Sequence, residues 1–137
     1  MLKILIVDDS LIIRKKITKL IEKLGHEVAF AAKNGQEAIN AYESKKPDLV
    51  TMDITMPDMD GITAVGHIMK SDHAAKIIMV TSHGQEDMVI KSIQAGAVGY
   101  MLKPITEDKL AQSIGEVFYE YAVPEEEDDL NLQDDNF

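Results

Sequence analysis

The 137-residue chain contains no cysteine. That excludes disulfides and thiolate metal sites, and it fits a reducing cytosol. Its apolar runs fall far short of the ~18 residues that a membrane-crossing helix needs. The first ten residues carry one lysine and two aspartates around a short apolar run, the pattern of a strand and not of a signal peptide. Bases are missing from residues 124–137, which hold seven acids: Glu125, Glu126, Glu127, Asp128, Asp129, Asp134 and Asp135. With those set aside, 17 acids face 14 bases, so the body carries about −3 of the total charge of −10. A nearly neutral body with an acidic tail argues against nucleic acid as a direct partner, and a cytoplasmic protein without membrane insertion is expected.

What is present is an alternation. Leu2–Val7 is an apolar run of the kind covered on both faces of a sheet. Ile13, Ile17, Leu20, Ile21 and Leu24 then recur at helical spacing, with Arg14, Lys15, Lys16, Lys19 and Lys23 facing elsewhere, and Gly25 closes the helix. Glu27–Ala32 is a second strand. Asn34 with Glu37 resembles a capping box for a helix to about Ser44. Pro47 opens a third strand that ends at Asp53, and Pro57 and Gly61 force a loop after it. Ile62, Val65, Ile68 and Met69 mark a third helix. Lys76–Thr81 is a fourth strand, Glu86–Ala95 a fourth helix stopped by Gly96, and Val98–Leu102 a fifth strand ended by Lys103-Pro104. Thr106 starts a last helix with Leu110, Ile114, Val117, Phe118 and Tyr121 on one face, and Pro124 terminates the folded part. Five strand–helix units in strict alternation predict an α/β fold: a five-stranded parallel sheet with helices on both faces. Residues 1–122 form one domain, and residues 123–137 an acidic tail expected to be disordered.

A parallel sheet places all its carboxyl strand ends on one edge. Asp8, Asp9, Asp53, Thr81 and Lys103 follow those ends, so five polar groups converge on one rim. Each has an ordinary alternative: Asp8 or Asp9 as a helix cap, Thr81 as a strand end, Lys103 as a solvated loop lysine. Crowded carboxylates raise one another's pKa, and a divalent cation relieves the repulsion. Oxygen-only ligands suit a hard ion such as Mg²⁺. A metal, a lysine and a hydroxyl around one carboxylate form a phosphoryl-transfer site with Asp53 as nucleophile.

Asp8-Asp9, Met52-Asp53-Ile54-Thr55-Met56-Pro57-Asp58-Met59-Asp60-Gly61, Val80-Thr81-Ser82 and Gly99-Tyr100-Met101-Leu102-Lys103-Pro104 resemble, in this order, the receiver domain of two-component response regulators. The resemblance covers roughly residues 2–121. It implies the flavodoxin-like strand order 2-1-3-4-5. It implies that Asp53 accepts a phosphoryl group from a phosphohistidine on a sensor histidine kinase. Asp8, Asp9, Asp53 and the carbonyl of Thr55 would hold Mg²⁺, and Thr81 and Lys103 would bind the phosphoryl group. Tyr100 would be the aromatic that swings inward when Thr81 moves, and the Lys103–Pro104 bond would be cis. The output face toward a downstream target protein would be the fourth helix, fifth strand and fifth helix, with Lys91, Gln94, Tyr100 and Gln112 as contacts. Ser82 departs from the alanine common in the family and would narrow the space for Tyr100. Thr55 and His83 occupy the two positions that tune phosphate lifetime. With no effector domain after residue 123, a chemotaxis-type switch or a phosphorelay shuttle is expected over a transcription factor. Two other readings are a receiver that takes no phosphate and serves only for interaction, and an Asp-nucleophile phosphatase of the haloacid dehalogenase type. The phosphatase family wants Asp-x-Asp after the first strand, where this chain has Asp8-Asp9-Ser10. For the tail, with Leu130, Leu132 and Phe137 set among acids, docking on a partner or on the lysine-rich first helix stands beside a plain solubilising role.

Overall fold

The computed structural model describes residues 1–124, so the expected disorder of the tail from residue 125 onward lies outside the described residues. Five strands, β1 (Lys3–Val7), β2 (Glu27–Ala32), β3 (Leu49–Asp53), β4 (Ile77–Thr81) and β5 (Gly99–Leu102), alternate with five helices. These are α1 (Leu11–Lys23), α2 (Gly35–Lys45), α3 (Gly61–Ser71), α4 (Glu86–Ala95) and α5 (Glu107–Val117). All strand pairs are parallel, in the order β2-β1-β3-β4-β5.

Strand alternation divides the core in two. Leu5, Val7, Val50, Met52, Ile77 and Met79 point to the face covered by α2, α3 and α4, where they meet Ala38, Ala41, Ala64, Val65 and Ile68. Ile4, Ile6, Leu49, Ile78 and Val80 point to the other face and meet Ile17 and Ile21 of α1 and Leu110 and Ile114 of α5. Most of these side chains are fully buried, each contributing roughly 1.5–3 kcal/mol by leaving water. Because β1 is paired on both sides, its alternation cannot slip by one residue without exposing one of these two cores.

Helix ends follow the local chemistry. Ser10, Asn34, Asp60 and Thr106 each accept a backbone N–H three residues on, which satisfies donors the first helical turn leaves free. The Glu37 carboxylate closes back onto the N–H of Lys33, one residue earlier than a capping box does. Gly25, at φ 89°, follows the C-cap Leu24 and ends α1. The last helix is shorter than the apolar spacing predicts. It stops at Phe118, and Tyr119–Tyr121 form a separate 3₁₀ turn. Phe118 and Tyr121 still pack against the α1–α5 core, so tertiary burial explains their spacing without a continuous helix.

Candidate functional site

The order of strands reverses at β1, whose neighbours are β2 on one side and β3 on the other. Such a switch point leaves a crevice at the carboxyl edge. Asp8 and Asp9 follow β1 there, and Asp53 is the last residue of β3. Asp8 is 1% and Asp53 4% exposed, whereas Asp9 faces solvent. One carboxylate oxygen from each of the three lies within 4.8 Å of the others. Lys103, just past β5, places Nζ 2.8 Å from Oδ2 of Asp8 and 3.4 Å from Oδ1 of Asp53. Its bond to Pro104 is cis.

The crevice holds these groups by backbone and cap contacts. Oδ1 of Asp8 accepts from the N–H of Ser10 at 2.9 Å, so it fixes the turn before α1 while Ser10, not Asp8, caps that helix. Arg14 donates from Nη1 to the Asp8 carbonyl oxygen at 2.7 Å and pins the turn into α1. After Asp53 the chain turns back on itself, and the N–H of Gly61 donates to the Ile54 carbonyl at 2.7 Å. A Cβ at Gly61 would lie 2.0 Å from the Asp53 carbonyl oxygen, so the backbone carrying Asp53 can approach the start of α3 only at a glycine.

Electrostatics single out Asp53. Burial pushes its carboxyl up to about 6, the negative charge of Asp8 adds to the rise, and Lys103 opposes both. Asp9 contributes least, so loss of water outweighs the mutual repulsion of carboxylates that the residue pattern suggests. Burial disfavours the Lys103 ammonium, but its hydrogen bond to Asp8 and the nearby charge of Asp53 raise its pKa on balance. Oδ2 of Asp8 is buried, and the Lys103 ammonium at 2.8 Å is its one close partner among the described residues. Three carboxylates that each bring an oxygen within 4.8 Å of the others are a donor set that fits a hard divalent cation.

Residues 4–115 match the response regulator receiver domain family. The chain belongs to that family. The receiver domain is 46% identical over 115 residues to the chemotaxis protein CheY of Thermotoga maritima, covering 84% of this chain and 96% of that protein. It is 48% identical over 112 residues to CheY of Bacillus subtilis, covering 82% and 93%. Among solved structures it resembles a complex of CheX, CheY, BeF₃ and magnesium from Borrelia burgdorferi, with TM-score 0.82, 37% identity and coverage of 85% and 88%. It is therefore a CheY-like receiver, and the strand order read from the resemblance is the one observed.

Thr81 is buried at the end of β4, and its Oγ1 accepts from the N–H of His83 at 3.2 Å. The carbonyl of His83 in turn accepts from the Tyr100 hydroxyl at 2.9 Å, so one residue links the threonine to the aromatic. Thr55 is exposed in the loop after Asp53. One sequence expectation fails. Ser82 lines the cleft on the α1 side of the sheet, whereas Tyr100 packs against the opposite core, so Ser82 does not narrow the space for Tyr100. Lys91 lines a cleft of about 310 Å³ with Thr55, Met56, Ile62 and Met88. It sits on the α3 flank of α4, because residues three apart, here Met88 and Lys91, share one side of a helix. Gln94 and Gln112 are exposed, and Gln112 bonds Glu116 at 3.5 Å.

Sequence reasoning missed Arg14 and the close approach at Gly61. Arg14 acts on a backbone carbonyl, which has no sequence signature. It missed exposed apolar groups as well: Ile90, Ile93, Val98 and Leu102 are 44–63% exposed around α4 and β5. Their signal was available, since Ile90 and Ile93 fall off the helical stripe of Met88, Ser92 and Ala95.

Proposed function

We propose that this receiver is a phosphoacceptor switch of the chemotaxis type. Asp53 attacks the phosphorus of a phosphohistidine on a sensor histidine kinase. A bond forms from the Asp53 carboxylate oxygen to phosphorus as the phosphorus–nitrogen bond breaks, and the imidazole keeps the electron pair. With a pKa of about 6, Asp53 is mostly ionised near pH 7 and can act as a nucleophile. Asp8, Asp9, Asp53 and the carbonyl of Thr55 would hold Mg²⁺, which offsets charge on the transferred oxygens. Lys103, already between Asp8 and Asp53, offers its ammonium to the same oxygens. The Thr81 hydroxyl turns to the phosphoryl group and gives up its bond to the His83 N–H. Because the His83 carbonyl holds Tyr100, that movement changes the seat of the aromatic and the surface of α4, β5 and α5. A downstream target protein reads that surface, with Lys91, Gln94, Tyr100 and Gln112 among its contacts.

The observation that carries this reading is a buried Asp53 whose oxygen lies 3.4 Å from an ammonium that also grips Asp8. Incubation with Mg²⁺ and beryllium fluoride or a small acyl phosphate tests it. A one-to-one adduct that disappears in Asp53→Asn is expected. Turnover of phosphate esters, or no adduct with the unmodified chain, would sink the reading.

A further inference from the structure

The α1 helix gathers a third of the chain's bases on one element. Arg14, Lys15, Lys16, Lys19 and Lys23 face a single acid, Glu22, in its thirteen residues. Lys15, Lys16, Lys19 and Lys23 are exposed, and with Ile12 they share one side of the helix at the 3.6-residue period. Lys23 pairs with Glu107 at 3.1 Å; Lys15, Lys16 and Lys19 have no ion pair among the described residues. This stripe leads to an apolar cleft of about 340 Å³ walled by Ile13, Ile17, Pro104 and Ile105, with Lys16 and Lys103 at its edges. Ile12, 77% exposed, stands one residue from Ile13 of that wall. The lysine stripe lies apart from the acidic crevice, and the cleft shares with it only Lys103.

Close to where its described residues end, the chain passes the turn that follows this helix. The Tyr121 ring packs edge-on against His26, centroids 4.7 Å apart, and His26 lies three residues beyond the end of α1. Gly115 of α5 lets the returning chain pass, since a Cβ there would lie 2.8 Å from Cα of Ala122. Residues 125–129 are five consecutive acids, followed by Leu130-Asn131-Leu132. From Pro124 to Leu130 an extended chain covers about 20 Å. From Lys23 back to Ile13 the helix rises about 15 Å. That reach is long enough for five acids to run along the lysine stripe and for two leucines to meet the cleft.

We propose that residues 125–132 of this chain dock along α1, with Glu125–Asp129 on Lys16, Lys19 and Lys23, and Leu130 and Leu132 in the cleft between α1 and Ile105. The docked segment covers the cleft wall that Lys103 shares with the acidic crevice. The contact is charge-led and salt-sensitive, because every charged partner on α1 is at the surface.

The absence of cysteine makes the test simple. A nitroxide is attached to the full chain through Gln133→Cys, and amide signals are recorded on isotope-labelled protein. At about 0.01 M salt, where charges act over ~30 Å, signals of Ile12–Lys23 and Lys103–Ile105 should lose most of their intensity while those of α2 and α3 keep theirs. At about 1 M salt, where screening cuts the range to ~3 Å, the loss should vanish. It should vanish as well at low salt in Lys16→Glu/Lys19→Glu/Lys23→Glu. Adding Glu126→Lys/Asp128→Lys/Asp129→Lys to that variant should bring it back. No loss at low salt, an even loss over the whole fold, or a loss indifferent to salt overturns the proposal. So does a loss in isotope-labelled protein without nitroxide mixed with nitroxide-bearing protein, which would make the occupant a second copy's tail.

Discussion

Asp53→Asn should make the metal-free receiver more stable at neutral pH. Asp53 ionises at 3.8 when exposed and is pushed up to about 6 in the fold. Between those values the folded chain holds a proton that the unfolded chain has released, so stability falls as pH rises through that window. Above about pH 6 the full penalty of the buried charge is present. Two pKa units correspond to about 3 kcal/mol. The partial relief from Lys103 is already inside that shift, and Lys103 keeps Asp8 at 2.8 Å when Asp53 is replaced. Asparagine retains the shape and removes the charge. Urea unfolding of both proteins in a chelator should therefore show a gain of about 2–3 kcal/mol for the variant near pH 8. The gain should shrink to nothing near pH 3, where Asp53 is protonated in both states. Saturating Mg²⁺ should narrow the gap by stabilising the unmodified protein more. If the variant is no more stable near pH 8, or gains equally near pH 3, the account of Asp53 as a desolvated charge is wrong.

Three further outcomes are expected. Lys103→Ala leaves the buried carboxylates of Asp8 and Asp53 without their ammonium, and phosphorylation by a small acyl phosphate should slow roughly a hundredfold. Gly61→Ala drives a Cβ into the Asp53 carbonyl, and denaturant unfolding should show a loss of roughly 2–3 kcal/mol, with weaker beryllium fluoride binding. His26 is buried, its Nδ1 accepts from the Leu2 N–H at 3.1 Å, and burial lowers its pKa below 6.5. The unfolded chain therefore binds more protons there, and stability should decline as pH falls below 6.5. His26→Phe should cost roughly 1–3 kcal/mol near pH 8 and flatten that decline.

Much of the site was legible because a parallel sheet constrains it. Once Leu2–Val7, Pro47–Asp53, Lys76–Thr81 and Val98–Leu102 read as strands, the groups after them had to share one edge. Asp8, Asp53, Thr81 and Lys103 needed no further information to be grouped. The helix starts at Asn34 and Thr106 rest on contacts three residues long, which is why local sequence suffices there. Asp60 itself reads only as a loop residue until the fold shows it capping α3.

What escaped is what depends on pairs far apart in the chain. Resemblance put Lys91 on the output face; which flank of α4 meets α3 is set by packing between elements. Ser82 and Tyr100 lie 18 residues apart and fall on opposite sides of the sheet, a matter of strand parity and loop path. The break of α5 at Phe118 arises because Tyr121 turns back toward His26.

The amino-acid sequence by itself determined the order of elements, the edge where the carboxylates meet, and the aspartate that ends β3 there. Those follow from periodicity, caps and the direction of parallel strands, all of which act over a few residues or through connectivity. Only the tertiary structure decided that burial more than repulsion raises Asp53, that Arg14 and Gly61 hold its neighbourhood, and which flank each side chain of α4 presents. Desolvation and close approach depend on how atoms distant in the chain fill space together, and no local pattern encodes that.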